Sequence, residues 1–155
     1  MVLLQMSALL CTVLALRVAS DDVQITCSPG WTSFDERCFQ YFSDQKDWSD
    51  AEGHCLSMGG NLASVHSEQE HNFLKQLVKT SDTKQNPAWI GGNDCQQEGV
   101  WRWSDGTNWD FTKWNSGEPN NAESENCLSV PDGSERNWND ANCYIQRPFL
   151  CVLRA

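Results

Sequence analysis

Residues 103–126 read WSDGTNWDFTKWNSGEPNNAESEN. Asn, Asp, Gly and Trp crowd this run, and neither helical periodicity nor strand alternation survives in it. A loop of this length inside a compact chain is uncommon unless it has a function, and its Trp side chains carry enough apolar area to pin it to a core. Oxygen donors gather at its end: Glu118, Asn120 and Glu125, with Asn139 and Asp140 a short way beyond. Three carboxylates and two carboxamides are hard ligands of the kind that suit calcium. Cys127 and Cys143 flank the second group, and a bridge between them would hold both ligand groups in one place.

Regular structure flanks the loop on both sides. Upstream, Arg37-Cys38-Phe39-Gln40-Tyr41-Phe42 reads as a strand. Ser49-Asp50-Ala51-Glu52 has the capping-box pattern that starts a helix, and Gly59-Gly60 ends it. Ser67-Glu68-Gln69-Glu70 starts a second helix, along which Phe73, Leu74, Leu77 and Val78 recur at helical spacing. His66 and His71 flank that start and are read as surface residues. Between the helices, Leu62-Ala63-Ser64-Val65 reads as extended. Ala88-Trp89-Ile90-Gly91-Gly92 is a buried strand and turn, and Val100-Trp101-Arg102-Trp103 alternates. Downstream, Cys127-Leu128-Ser129-Val130 and the run from Tyr144 to Val152 close the chain as strands. Strands, then two helices, then loop and strands indicate an α+β fold. Trp89, Trp101, Trp103, Trp114 and Trp138 are expected to fill the core and pin the loop.

The chain's 155 residues fit one domain. Residues 1–20 read as a secretory signal peptide. Their apolar run is about 15 residues long, too short to span a bilayer comfortably, and Val18-Ala19-Ser20 supplies small residues for cleavage. Residues 21–155 would form the mature, secreted domain. Cys11 lies in the leader, and Cys27, Cys38, Cys55, Cys95, Cys127, Cys143 and Cys151 follow it. In a small secreted chain they indicate a disulfide framework, and their odd number leaves one thiol over. The formal net charge is −10 and no basic block is present, which argues against a nucleic-acid partner. No further segment is apolar and long enough for a membrane span. Only three histidines occur, His54, His66 and His71, without a nucleophile motif or metal-hydrolase spacing, so an enzyme is not expected.

Several short motifs occur in a telling order: Trp89-Ile90-Gly91-Gly92, Glu118-Pro119-Asn120, Glu125-Asn126-Cys127, Trp138-Asn139-Asp140 and Phe149-Leu150-Cys151. In that order and spacing the chain resembles a C-type lectin domain over about Cys27 to Cys151. A leader followed by one domain is similar to small fish and snake-venom lectins and to fish type II antifreeze proteins. The resemblance implies two helices, small antiparallel sheets and a long calcium-binding loop. It also implies three disulfides: Cys27 with Cys38, Cys55 with Cys151, and Cys127 with Cys143. In the chain-entropy account the second would contribute roughly 4–5 kcal/mol and the third about 3 kcal/mol.

The same resemblance implies that Glu118, Asn120, Glu125, Asn139 and Asp140 ligate Ca2+ and bind the sugar, with Pro119 as a cis-proline. Five side-chain oxygens and the Asp140 carbonyl would leave two positions of an eight-coordinate ion for a sugar diol. Carboxylates accept hydrogen bonds from its hydroxyls and amide nitrogens donate to them. In this family the acid–amide order Glu-Pro-Asn accompanies mannose, fucose and N-acetylglucosamine. The expected ligands are therefore mannose-type glycans, for example on microbial surfaces in innate recognition. Ice binding of the type II antifreeze kind is the alternative on this scaffold. An auxiliary calcium site would use Asp94 and Glu98, with Asn121 and Asn126 nearby; Asn where some relatives have Asp should lower its affinity. Cys95 lacks the partner that some fish relatives carry, because Asn115 follows Trp114. It is expected either to stay a free thiol or to bridge two chains as a disulfide-linked homodimer, the second being favoured.

Overall fold

A computed structural model describes residues 26–154, and the leader read at residues 1–20 lies outside the described residues. Among the described residues the first elements are a hairpin of β1 (Thr32–Phe34) and β2 (Arg37–Lys46), followed by helix α1 (Trp48–Ser57) and β3 (Asn61–Leu62). Helix α2 (Glu68–Ser81), β4 (Ala88–Asn93) and β5 (Arg102–Trp103) come next. After the long loop, β6 (Cys127–Asp132), β7 (Asn137–Ala141) and β8 (Arg147–Arg154) complete the α+β fold. Hydrogen bonding links the strands in the order β1-β2-β8-β4-β6-β7, with β3 on β8 and β5 on β4. Pairings between these strands are antiparallel except a short parallel contact of β4 with β8 at Trp89 and Phe149, and outside the strands Trp114 forms an isolated parallel bridge with Trp138.

Both helix starts differ in detail from the expectation. The N-cap of α1 is Asp47, whose Oδ1 accepts from the Asp50 amide at 2.8 Å. The helix therefore begins ahead of Ser49, and Ser49-Asp50-Ala51-Glu52 is not its capping box. Asp47 already satisfies one of the orphan amide donors of the first turn. This frees Glu52 for the next segment, where its carboxylate accepts from Asn61 Nδ2 at 2.6 Å and from the Leu62 amide at 2.7 Å. The helix ends as expected at glycine: Gly59 has φ +85°, and Gly60 donates back to the Cys55 carbonyl at 3.0 Å. In α2, Ser67 caps as expected by accepting from Glu70 N at 3.1 Å. Glu70 reaches one residue further back than a capping box requires, to His66 N at 2.6 Å, and also pairs with Arg37.

His71 is not a surface residue: it is 1 % exposed. It sits on the same buried face of α2 as Leu74 and Val78. Trp138 Nε1 donates to His71 Nδ1 at 3.2 Å, so the ring is the Nε2–H tautomer, and Nε2 donates to Asn137 Oδ1 at 3.3 Å. Burial, reinforced by Lys75 and opposed by the Asn137 hydrogen bond and Glu68, pushes its pKa down to about 4.

Two apolar clusters make up the core, and the tryptophans dominate their contact with the loop. Trp89, Trp101, Trp103 and Trp138 are buried, while Trp114 packs partly buried against the same cluster. Trp103 and Trp114 meet Trp138 edge-to-face at 5.6 and 5.7 Å, a favourable arrangement for aromatic pairs. Trp109 was not anticipated in this group; it lies 4.5 Å from Trp103 and 5.7 Å from Trp138. The 100–103 alternation holds in burial, since Trp101 and Trp103 point inward and Val100 and Arg102 outward, but only Arg102–Trp103 pairs as a strand. The bridges Cys27–Cys38, Cys55–Cys151 and Cys127–Cys143 are formed.

Candidate calcium and glycan site

The loop is held by hydrogen bonds as well as by tryptophans. Asn115 is the clasp: its Nδ2 donates to the carbonyls of Asp132 and Trp138, each at 3.0 Å, and its Oδ1 accepts from Asn137 N at 3.2 Å. Main-chain bonds Trp138 N to Lys113 O at 2.8 Å and Asn115 N to Trp138 O at 2.9 Å zip the loop onto β7. The amide that takes the place of a possible cysteine partner thus does a positional job. Three residues later comes Glu118, and the Glu118–Pro119 bond is cis. A second cis bond, Val130–Pro131, lies in β6 and was not anticipated.

Asp140 is the anchor of the cluster. It is fully buried on β7, opposite Leu128 of β6. Its carboxylate accepts from the amides of Asn120 at 3.2 Å and Asn121 at 2.8 Å. These two bonds draw the loop after Pro119 onto the strand, so the Glu118-Pro119-Asn120 and Trp138-Asn139-Asp140 motifs converge. Asn121 folds the loop back by accepting from Glu125 N at 3.0 Å, which returns Glu125 to the same region.

Charge therefore couples the three carboxyl groups, although their oxygens do not all come within 4.8 Å of one another, and the proton affinities of Glu118 and Glu125 register it. Glu118 is raised to about 7 by burial, by hydrogen bonding to and the charge of Asp140, and by Glu125. Glu125 is raised as well, by burial and then by Asp140. One oxygen of Glu118, Oε2, is buried with no hydrogen-bond partner. Unpaired buried acceptors are rare and costly, and mutually repelling carboxylates with an orphaned oxygen are what a cation would relieve. The donor set is all oxygen, so it fits calcium better than a thiophilic metal. The two amides are turned otherwise. Asn120 Oδ1 accepts from Ala122 N at 2.7 Å, and Asn139 Nδ2 donates to the Asp140 carbonyl. Both amides are thus engaged locally, and Asn139 occupies the Asp140 carbonyl that an ion would also use.

At the expected auxiliary position, Asp94 is buried and its Oδ2 accepts from Gly99 N at 2.8 Å. Asn126 Nδ2 donates to Asp94 Oδ1 at 2.9 Å and to Glu98 Oε2 at 3.2 Å. The amide therefore offers N–H, not oxygen, to both acids. Asn121 stands apart, engaged with Glu125. Cys95 is an exposed free thiol, its pKa raised by partial burial and by Asp94.

The lectin C-type domain family matches residues 44–153. The chain belongs to the C-type lectin family. This is a family of carbohydrate-binding domains, not of enzymes. The domain is 41% identical over 128 residues to ladderlectin of Oncorhynchus mykiss, covering 82% of this chain and 67% of that one. It is 39% identical over 128 residues to the galactose-specific lectin nattectin of Thalassophryne nattereri, covering 82% and 80%. Among solved structures it is similar to herring type II antifreeze protein, with a TM-score of 0.77 and 35% identity over 83% of this chain and 99% of that one. Among the described residues, no helix is long and apolar enough to cross a membrane.

Proposed function

We propose that this domain is a secreted, calcium-dependent lectin that binds mannose-type sugars. The observation that carries the reading is the orphaned buried oxygen of Glu118, whose proton affinity the charges of Asp140 and Glu125 raise. Glu118, Asn120, Glu125, Asn139 and Asp140 would hold the calcium ion. When bound, the ion would supply open positions for a vicinal diol. The protein's part is orientation: Asp140 holds the backbone at 120 and 121, and Asn115 holds the loop to β7. Around a diol, acid at 118 and amide at 120 put an acceptor first and a donor second, which supports the preference for mannose, fucose and N-acetylglucosamine. Mannose-rich microbial surfaces, met in innate recognition, are the natural class of target. At the auxiliary position the Asn126 amide satisfies Asp94 and Glu98 with N–H donors and offers no oxygen between them, so we assign calcium to the first site only.

The deciding experiment is retention on immobilised mannan with calcium, followed by chelator. Release by the chelator is expected. Retention that survives chelation, or no retention with calcium, refutes the reading. Two other outcomes have observations behind them. Retention on galactose resin would align this chain with the relative named galactose-specific. Thermal hysteresis without glycan retention would align it with the antifreeze structure it resembles.

A further inference from the structure

Strand register brings three sulfurs together. Asn93 of β4 lies opposite Cys127 of β6, and Cys127 lies opposite Ala141 of β7. Since β4 and β7 both run antiparallel to β6, Cys95 and Cys143, each two residues further on, flank Cys127 from its two sides. The three Sγ atoms lie within 4.8 Å of one another. Cys127 and Cys143 are bonded, while Cys95 is a thiol whose Sγ is 4.0 Å from that of Cys143. The thiol is held there, because Asp94 N donates to the Asn126 carbonyl at 3.2 Å and Cys95 Sγ lies 3.8 Å from the same oxygen. Beside the sulfurs is a cavity of about 400 Å³, with Trp48 and Tyr144 in its wall, which gives Cys95 room to move.

A thiol against a disulfide is a reactive pair, because exchange needs only attack of thiolate on a disulfide sulfur. We propose that Cys95 exchanges with the Cys127–Cys143 bridge, so that the domain exists as two disulfide isomers. The Cys95 thiolate attacks Cys143 Sγ, and a Cys95–Cys143 bond forms as the Cys127–Cys143 bond breaks. The electron pair of the broken bond leaves on Cys127 Sγ, which takes up the proton that Cys95 gave up. One thiol and one disulfide stand on each side of the reaction, so no oxidant or reductant is consumed. In the second isomer the end of β7 is tied to the segment after β4 instead of to β6. The stretch carrying Glu125 and Asn126 then loses its covalent tie. This makes Cys95 an internal partner for the bridge rather than a link to a second chain, and the proposal does not depend on calcium or sugar binding.

The test uses the full folded chain, held without added thiol in mildly alkaline buffer, quenched with acid over time, unfolded and labelled with N-ethylmaleimide. Non-reducing digestion and mass spectrometry then locate the free thiol. The expected result is label moving from Cys95 to Cys127, matched by a Cys95–Cys143 peptide pair. Among the seven cysteines from Cys27 to Cys151, the Cys95→Ser chain should take up no label, and it should keep the Cys127–Cys143 pair. Label confined to Cys95 at all times overturns the proposal. So does a Cys95–Cys95 link between chains, or exchange spread equally over the Cys27–Cys38 and Cys55–Cys151 bridges.

Discussion

Lowering the pH from 7 to about 5 should cost this domain about 2 kcal/mol of stability through one side chain, His71. Its ring is buried, accepts from Trp138 Nε1 at Nδ1 and donates to Asn137 from Nε2. Protonation would set an Nδ1–H against the Trp138 N–H, so the fold holds the neutral form. The unfolded ring titrates near 6.5 and the folded ring near 4. The unfolded state therefore binds the proton first. His71's contribution is complete above the unfolded value and is lost as pH falls from 6.5 towards 4. The whole interval corresponds to a ceiling of about 3 kcal/mol, of which about 2 kcal/mol is reached near pH 5. Without calcium, Glu118 works in the opposite sense: its folded pKa is raised, so the fold binds its proton first and gains stability as pH falls. The assay must cancel that contribution. Urea unfolding of the wild-type chain and of His71→Gln, in chelator at both pH values, gives a double difference from which the shared Glu118 effect drops out. The wild type should lose about 2 kcal/mol more than the variant. Equal losses in the two proteins, or a His71 ring seen by NMR to titrate near 6.5, would refute the reasoning.

Exchanging donor and acceptor around the diol with Glu118→Gln plus Asn120→Asp should shift monosaccharide inhibition from mannose towards galactose by about tenfold, roughly 1.4 kcal/mol; an unchanged inhibition order would contradict the acid–amide argument. Asn126→Asp should replace the N–H between Asp94 and Glu98 with a carboxylate, raising the calcium stoichiometry in equilibrium dialysis from one to two, whereas no change would show that the amide is not what closes that position. Gly60→Ala would place a Cβ 2.2 Å from the Val152 carbonyl oxygen and should lower stability by about 2–3 kcal/mol. A loss under about 0.5 kcal/mol in thermal or denaturant unfolding would mean that the α1–β8 contact yields easily.

The motifs from Trp89 to Cys151 made the fold legible because they mark positions where the chain has few alternatives: a buried strand, a loop that folds back, a bridge. What the sequence hid depends on side-chain direction. Glu52 matches a helix cap three residues after Ser49, yet nothing local says that Asp47 caps first and frees Glu52 for Leu62. His71 is polar by composition, and its burial follows from Trp138, which lies 67 positions away and meets it only across the core. A signal was available, since position 71 lies three residues before Leu74 and seven before Val78 on one helical face. Trp109 and Asn115 sit in an aperiodic run, so no pattern ranked them above their neighbours. At the site, sequence named the oxygen donors but not the rotation of Asn120, Asn126 and Asn139, which an amide can settle only once its surroundings exist.

The order of the sheet has one further consequence. Arg154, where the described chain ends, is paired with Arg37 at the start of β2, beside β1, whereas Asp140 lies on β7 at the opposite edge. A tether near residue 154 would therefore stand away from the loop. Copies fixed to a surface or a scaffold by that end would all turn their oxygen-lined edges outward. An array of weak single sites could then engage a repetitive ligand at many points at once, with the strength set by spacing instead of by any one contact.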